Sequence, residues 1–169
     1  MDRPIFLNNQ EMVVDSKLRV GIPERFMKVL REAYPDHCDK IGVAASADKS
    51  IKLMPEPIFL KELEYWSSLD DRSQNQRTIL NISTAFADLL PLDKQNRLKL
   101  SPALCKFCNI SREVIIVGSV RYMQIFDLDS WNELVRKNFD RFGGAADALA
   151  SPPGGKTGTA PEGAEPTES

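Results

Sequence analysis

Apolar residues recur in the same order in two successive halves of this chain. Each half has a short apolar stretch, a polar turn, a helical stretch and two segments in which apolar and polar residues alternate. A period of two is typical of β-strands. The sequence therefore predicts strands at Met12–Val14, Lys40–Ala45 and Ile51–Met54 in the first half, and at Leu89–Leu92, Val114–Gly118 and Tyr122–Phe126 in the second.

Two helices are predicted in each half. The first one opens at Pro23 or Pro102, where the amide hydrogen that proline lacks is not needed. The residues Phe26, Val29 and Leu30 fall on one face of the first-half helix. The second helix carries apolar anchors, which are Phe59, Leu63 and Trp66 in the first half and Trp131, Leu134 and Val135 in the second, where Asp129 or Ser130 would cap it.

This order predicts an α+β, β-rich fold made of two similar halves in tandem. We place the first repeat at residues 1–72 and the second at 73–142. The polar stretch Asp70–Arg77 between them can continue a connecting helix. Residues 143–169 are rich in Gly, Pro and Ala with few bulky apolar side chains. Such a segment cannot bury enough surface to offset its ordering entropy, so it is predicted to be a disordered acidic tail.

One polar turn recurs with its charges in register. Asp15 precedes Arg19 by four residues, Asp93 precedes Arg97 by four, and 78 positions separate the two copies. Each copy leads into an apolar-x-apolar stretch. A single Asp-x-x-x-Arg carries little information, but two copies with the same order of elements downstream indicate an internal duplication.

The distribution of charge singles out the same two stretches. The whole chain has a net charge of −2, but residues 143–169 alone contribute −3 and the rest is therefore +1. Residues 15–31 carry +3, as do residues 93–106. A clustered charge says more about partners than the total does. The cations we expect to contact double-stranded DNA are Lys17, Arg19, Arg25, Lys94, Arg97 and Lys99.

Arginine and lysine neutralise phosphates, and arginine also reads the O6 and N7 atoms of guanine. Asp15 and Asp93 cannot approach phosphate favourably. Their expected role is structural, either by accepting backbone hydrogen bonds in a turn or by fixing the arginine as a paired carboxylate. The competing interpretation is that each Asp-x-x-x-Arg is only a cross-turn ion pair that holds a hairpin.

Other candidate sites are weaker. Cys105 and Cys108 form a Cys-x-x-Cys that could bind zinc together with His37 and Cys38, but their helical spacing favours packing in the core. The four aromatic residues Phe59, Trp66, Phe126 and Trp131 are interpreted as core. The segment Gly154–Thr157 only faintly resembles a phosphate-binding loop. We expect no disulfide, metal or cofactor, and no enzymatic activity, because no catalytic constellation is evident.

No apolar run approaches the length of a membrane helix, and the first residues do not form a signal peptide. A cytoplasmic protein without membrane association is therefore expected.

The duplicated motif and its surroundings resemble the MraZ family. The second half is the closer match, through Asp93–Arg97, Glu113–Gly118 and Tyr122–Asp127 followed by Trp131. The first half matches in Phe6–Leu7, Asp15–Pro23 and Leu53–Pro55. The family commonly has glycine before the motif arginine, where this chain has Leu18 and Asn96. If that position needs a positive φ, Leu18 is strained by about 1–2 kcal/mol, or else the first turn adopts a different conformation.

The resemblance implies the swapped-hairpin fold of AbrB and SpoVT proteins. Two AbrB-like halves would form a pseudo-dimer within one chain, a swapped-hairpin β-barrel with flanking helices. It further implies a ring-shaped homo-oligomer that binds short direct repeats in the promoter of the division and cell-wall gene cluster, which is also its own promoter. Such a regulator would be associated with the nucleoid. The alternatives are a ring-forming interaction protein of the same fold with weak or lost DNA binding, and another AbrB-type regulator such as an antitoxin.

Overall fold

A computed structural model describes residues 5–150 of the chain, with side chains up to residue 144. Its first half contains strands β1 (Asn9–Val13) and β2 (Arg19–Gly21), helix α1 (Glu24–Ala33), a 3-10 helix (Pro35–His37), strands β3 (Lys40–Ala45) and β4 (Ile51–Pro55) and helix α2 (Glu56–Ser67). Its second half contains helix α3 (Gln74–Ala85), strands β5 (Asp88–Pro91) and β6 (Arg97–Lys99), helix α4 (Pro102–Phe107), strands β7 (Glu113–Gly118) and β8 (Met123–Asp127) and helix α5 (Leu128–Ala150).

Both halves have the order strand, strand, helix, hairpin, helix, as the repeated pattern predicts. The helix α3 is an addition between them. The polar stretch at residues 70–77 suggested a continuation of one connecting helix, but α2 ends at Ser67 and a turn precedes α3 at Gln74. A turn and α3 therefore join the repeats, and α2 does not continue into α3.

The strands of the two halves are interleaved. Six of them form an antiparallel sheet in the order β1-β7-β8-β4-β3-β5. The first strand of the first half, β1, pairs with β7 of the second, and β5 of the second half pairs with β3 of the first. Each hairpin thus receives its outer strand from the other repeat, and β4 and β8 join the two hairpins. This reciprocal exchange confirms the predicted α+β fold of two interlocked halves.

One main cluster of buried apolar side chains packs against the sheet, and both halves contribute residues to it. Phe6, Leu30, Ile51, Leu98 and Ile116 are fully buried in it. A second, smaller cluster contains Ala44, Met54, Phe59 and Trp66. The burial of apolar surface is the main term that favours the folded state.

The helix α5 differs from expectation at both of its ends. Its cap is Asp127, whose carboxylate accepts a hydrogen bond from the Ser130 amide at 3.2 Å, so the prediction of Asp129 or Ser130 was wrong. The helix continues to Ala150, eight residues into the stretch whose composition predicts disorder. The rest of that predicted tail, with the Gly154–Thr157 motif, lies outside the described residues.

The chain divides into a unit of residues 1–133 and a second unit that begins at Leu134. In the second unit, Leu134 and Val135 are 38% and 45% exposed. They were predicted as anchors of a buried helix face, as was Leu63, which is also 38% exposed. Apolar spacing along a helix identifies a face but not what covers it. Among residues 5–150, no helix is both long enough and apolar enough to span a membrane.

Candidate nucleic-acid interface

The first Asp-x-x-x-Arg motif folds into a tight turn around the Asp15 carboxylate. One carboxylate oxygen, Oδ1, accepts hydrogen bonds from the backbone amides of Lys17 and Arg19, both at 2.9 Å. The other, Oδ2, accepts a bond of 2.7 Å from Nε of Arg19. The Asp15 amide donates to the Arg19 carbonyl at 2.9 Å and closes the turn. The carboxylate therefore shapes the backbone and aims the arginine at the same time.

The second motif has the same geometry. Oδ1 of Asp93 accepts from the amides of Gln95 and Arg97 at 2.8 and 3.0 Å. Oδ2 accepts from Nε of Arg97 at 2.8 Å. The two predicted roles of the aspartates, turn formation and arginine positioning, are thus combined in each carboxylate rather than being alternatives.

Both turns contain a residue with a positive φ before the arginine. Leu18 has φ 58° and Asn96 has φ 56°, so the first turn keeps the conformation of the second although it lacks glycine or asparagine. Asparagine tolerates this region, whereas a branched side chain costs about 1–2 kcal/mol. Leu18 is half-buried and packs against the main apolar cluster, which offsets part of that cost.

The strands that follow the turns pair with each other. Antiparallel β2 and β6 place Val20 opposite Leu98, and both side chains are fully buried. Side chains alternate along a strand, so the flanking positions lie on the outer face. Arg19 lies there opposite Lys99, and Arg97 opposite Gly21. We call this outer face, with residues 19, 21, 97 and 99, the basic ribbon.

The guanidinium groups of Arg19 and Arg97 keep most of their N–H donors available for a ligand. The aspartates bind only Nε, and within the described residues no ion pair uses the terminal nitrogens of Arg19 or Arg97. The two arginine side chains are 31% and 30% exposed. A guanidinium has five N–H donors in a planar fork. Each arginine is therefore held by its inner edge and presents its outer edge to solvent.

The local hydrogen bonds also keep both aspartates ionised. The backbone amide of Arg19 is the main reason why the pKa of Asp15 lies below its ordinary value. At Asp93 the partial loss of water works to raise the pKa, but hydrogen bonds from the Arg97 backbone and side chain outweigh it and the pKa is again lowered. Ionised carboxylates are the form that aims the arginines at neutral pH.

The structure places five of the six expected DNA-contact residues on the ribbon and its turns. Arg19, Arg97 and Lys99 lie on the ribbon, while Lys17 and Lys94 are exposed in the turns. That makes five residues near one surface; the sixth is Arg25, exposed in the first turn of α1, on another element. Lys99 lies directly across from Arg19 because β2 pairs with β6. The Asp-x-x-x-Arg motif does not predict this pairing.

The cysteines of the Cys-x-x-Cys are in the core. Cys105 and Cys108 are 6% and 1% exposed, which confirms the core-packing interpretation. Burial raises the pKa of the Cys108 thiol to about 11 and also raises that of Cys105. Zinc binds thiolates, so these neutral thiols are poor ligands. Among the side chains of residues 5–144, no group of three or more potential ligands could hold a metal ion.

The other single residues have structural contacts. Exposed His37 lies in the 3-10 helix and its Nδ1 is 2.7 Å from a carboxylate oxygen of Glu56. Phe59, Trp66 and Phe126 are buried as predicted, and Trp131 is half-buried against the Phe126 ring with centroids 4.9 Å apart. None of these aromatic rings belongs to the basic ribbon.

Several known proteins are similar in sequence to this chain. The family model described as "MraZ protein, putative antitoxin-like" matches residues 85–150, which contain β5 to α5. A "Transcriptional regulator MraZ" of Mycolicibacterium smegmatis is 27% identical over 143 residues, covering 85% of this chain and 95% of that protein. Those of Herpetosiphon aurantiacus and Mycoplasmoides gallisepticum are 27% and 21% identical, and each alignment covers 86% of this chain and 94% and 97% of the relative.

The family model matches only the second half of the chain, whereas the alignments with the relatives extend over both repeats. The duplicated turn, the interleaved strands and these similarities point in one direction: the MraZ family model matches residues 85–150, and most of the chain is similar to transcriptional regulators of that name.

Proposed function

We propose that this chain is a sequence-specific, double-stranded DNA-binding transcriptional regulator. One observation carries the proposal, namely that the two motif arginines lie on the outer face of one two-stranded ribbon whose inner face is buried. The relatives bear the name transcriptional regulator, which supports the same function.

The shape of the ribbon suits the DNA major groove, which admits a two-stranded β-ribbon. Arg19 and Arg97 would read base edges, because their outer donors match the O6 and N7 acceptors of guanine. Lys17, Lys94 and Lys99, with Arg25 farther away, would bind phosphates and fix the register. Asp15 and Asp93 would stay off the DNA and hold the arginines.

We further propose a target of short direct repeats in the promoter of the division and cell-wall gene cluster, including the promoter of its own gene. Self-association into a ring would repeat the ribbon along the DNA, so weak contacts sum through effective concentration. This compensates for the net charge of −2. Such a regulator would act in the cytoplasm on the nucleoid and would need neither a cofactor nor catalytic residues.

The test is a mobility-shift titration of the full chain against DNA from upstream of its own gene, at two salt concentrations. We expect tight binding that weakens as salt rises. The Arg19→Ala/Arg97→Ala variant should bind at least about 30-fold more weakly, since each lost base contact costs about 1–3 kcal/mol. Its melting temperature should fall only slightly, because each aspartate keeps its two hydrogen bonds from backbone amides when the arginine side chain is removed.

The matched control is Arg72→Ala/Arg121→Ala, which removes two exposed arginines that lie outside the ribbon and its turns. It should bind like the wild type. If the ribbon variant binds DNA as well as this control does, the ribbon is not the interface. If the ribbon variant unfolds, the arginines are structural ion-pair partners, and Arg19→Lys/Arg97→Lys then tests binding with the charge retained.

A second candidate function is a ring-forming interaction protein of the same fold. It is favoured by large apolar side chains that stand exposed on three helices: Leu60 and Leu63 on α2, Ile79 and Ile82 on α3, and Phe139 and Phe142 on α5. Exposed apolar surface of this kind marks protein contacts. A folded oligomer that binds neither its upstream DNA nor a random duplex would favour this candidate over the regulator.

A further inference from the structure

The two turns share a backbone conformation but differ in the cations beside them. Lys99 lies directly across from Arg19 in the ribbon, whereas the residue across from Arg97 is Gly21. Residues directly opposed in an antiparallel pair have Cβ atoms about 5 Å apart. A second positive side chain therefore accompanies the arginine of the first turn and not that of the second.

The neighbouring strands add a second difference. The Val14 amide, just before the first turn, donates to the Arg112 carbonyl at 2.8 Å. The equivalent Leu92 amide, before the second turn, donates to the Asp39 carbonyl at 2.8 Å. Arg112 and Asp39 thus occupy corresponding positions in the two repeats, both are exposed, and they carry opposite charges.

Arg112 lines a surface depression together with Asp15, Ser16 and Leu18 of the first turn. Within the described part of the chain, none of the ion pairs involves its guanidinium. The next residue, Glu113, lies across from Val13, one position farther from the turn, and does not line the depression. The Arg112 charge is therefore available at the first turn.

These differences leave the two ends of the ribbon with unequal charge. Around the first turn, a single acid faces four bases, which are Lys17, Arg19, Lys99 and Arg112 against Asp15. Around the second turn, two bases face two acids, which are Lys94 and Arg97 against Asp93 and Asp39. Lys40 lies across from Pro91, one position farther from the turn, and is left out of this count as its counterpart Glu113 is left out of the other. Phosphate affinity follows the local positive charge, so the two ends cannot bind DNA equally.

We infer that Arg112 is a further DNA-contact residue, binding a phosphate beside the first turn, and that it makes this turn the stronger of the two DNA contacts. The inference rests on the proposed function. It assigns the second turn the weaker contact, because the Asp39 carboxylate repels the phosphates that approach there.

The test uses the full chain with Arg112→Gln, titrated against the duplex from upstream of its own gene and against a random duplex of the same length. Binding to both should weaken, by roughly fivefold near 0.1 M salt, and the salt dependence should become shallower by about one phosphate contact. Both duplexes should be affected alike, since a phosphate contact carries no sequence information. Asp39→Asn should instead strengthen binding to both.

The matched control is Arg121→Gln. Arg121 is also exposed, but it follows the far end of β7, about 20 Å along the strand from Arg112. The same loss of one charge there should leave DNA affinity and its salt dependence at wild-type values. Equal weakening by Arg112→Gln and Arg121→Gln would mean that only the net charge matters, and would overturn the inference.

A double-variant cycle shows through which turn Arg112 acts. Arg112→Gln should weaken the Arg97→Ala protein further, but should add little to Arg19→Ala, in which the first turn is already disabled. Wild-type affinity of Arg112→Gln, or an equal effect in both backgrounds, would overturn the inference. The proposed function would then still stand if Arg19→Ala/Arg97→Ala loses binding. A wild-type chain that binds neither duplex would overturn both.

Discussion

At the scale of single residues, the two aspartates do most to shape the interface. Asp15 and Asp93 each bind two backbone amides and one arginine Nε. A carboxylate in such a turn is both a backbone cap and a positioning group. Since only Nε of each arginine is used, the same residue pair that stabilises the turn leaves a donor edge for a ligand.

This arrangement predicts a pH dependence below about pH 4. The pKa values of Asp15 and Asp93 are lowered from the ordinary 3.8, so their contribution to stability is present above that pH and is lost as pH falls through the folded values. Asp15→Asn/Asp93→Asn should lower the melting temperature at pH 6. The difference from the wild type should stay constant above about pH 5 and shrink steadily as the pH falls below about 4.

The control for that experiment is Asp36→Asn/Asp71→Asn, which changes two exposed aspartates away from the ribbon and its turns. Melting temperatures measured by circular dichroism across the same range should show no such convergence for the control. A gap between the wild type and Asp15→Asn/Asp93→Asn that stays constant down to pH 3 would contradict the role we give to the ionised carboxylates.

At the scale of elements, the contact between α2 and β3 depends on one missing side chain. Gly42 of β3 lies beneath Phe59 of α2, and a Cβ at position 42 would overlap the Phe59 side chain. Phe59 is only 4% exposed and cannot swing into solvent without losing its packing against Trp66, with ring centroids 6.4 Å apart. The close approach of helix and strand therefore requires glycine.

Gly42→Ala should lower the free energy of unfolding by about 1–3 kcal/mol, the usual cost of overpacking a core. Chemical denaturation followed by tryptophan fluorescence measures it. The matched control is Gly143→Ala in α5, where a Cβ would have nothing within 4 Å and alanine favours the helix. The control should not lower stability. A neutral Gly42→Ala would show that α2 can move away at little cost.

At the scale of the whole molecule, neither repeat is complete without the other. In the first repeat, β1 pairs only with β7 and β2 only with β6, and both partners belong to the second repeat. In the second repeat, β5 pairs only with β3 of the first. An unpaired strand leaves backbone donors and acceptors without hydrogen bonds. The tandem repeat is therefore one folding unit up to residue 133, and not two independent domains joined by a linker.

Expressed separately, residues 1–72 and 73–150 should therefore give no folded monomer. Mixed in equal amounts, they should form a one-to-one complex with the circular dichroism spectrum of the intact chain. Size-exclusion chromatography and amide chemical-shift dispersion distinguish these states. A well-dispersed spectrum from either half as a monomer would contradict the interleaving of the strands.

Local pattern was sufficient for much of the fold. The alternation of apolar and polar residues predicted the strand at residues 40–45 with the bounds that the structure has. The preference of proline for the first position of a helix predicted the start of α4 at Pro102. The duplicated motif identified both turns. These features could be predicted because period, turn chemistry and capping are decided by residues close together in the chain.

The amino-acid sequence by itself determined the two repeats, their order of elements and the paired aspartates and arginines. Only the tertiary structure decided that the repeats exchange strands, that Lys99 faces Arg19, and that Arg112 and Asp39 flank the two turns with opposite charge. It also decided that Leu134 and Val135 remain exposed. The physical reason is that strand pairing and burial depend on residues far apart in the chain, and local periodicity does not specify which partner a face or an edge will meet.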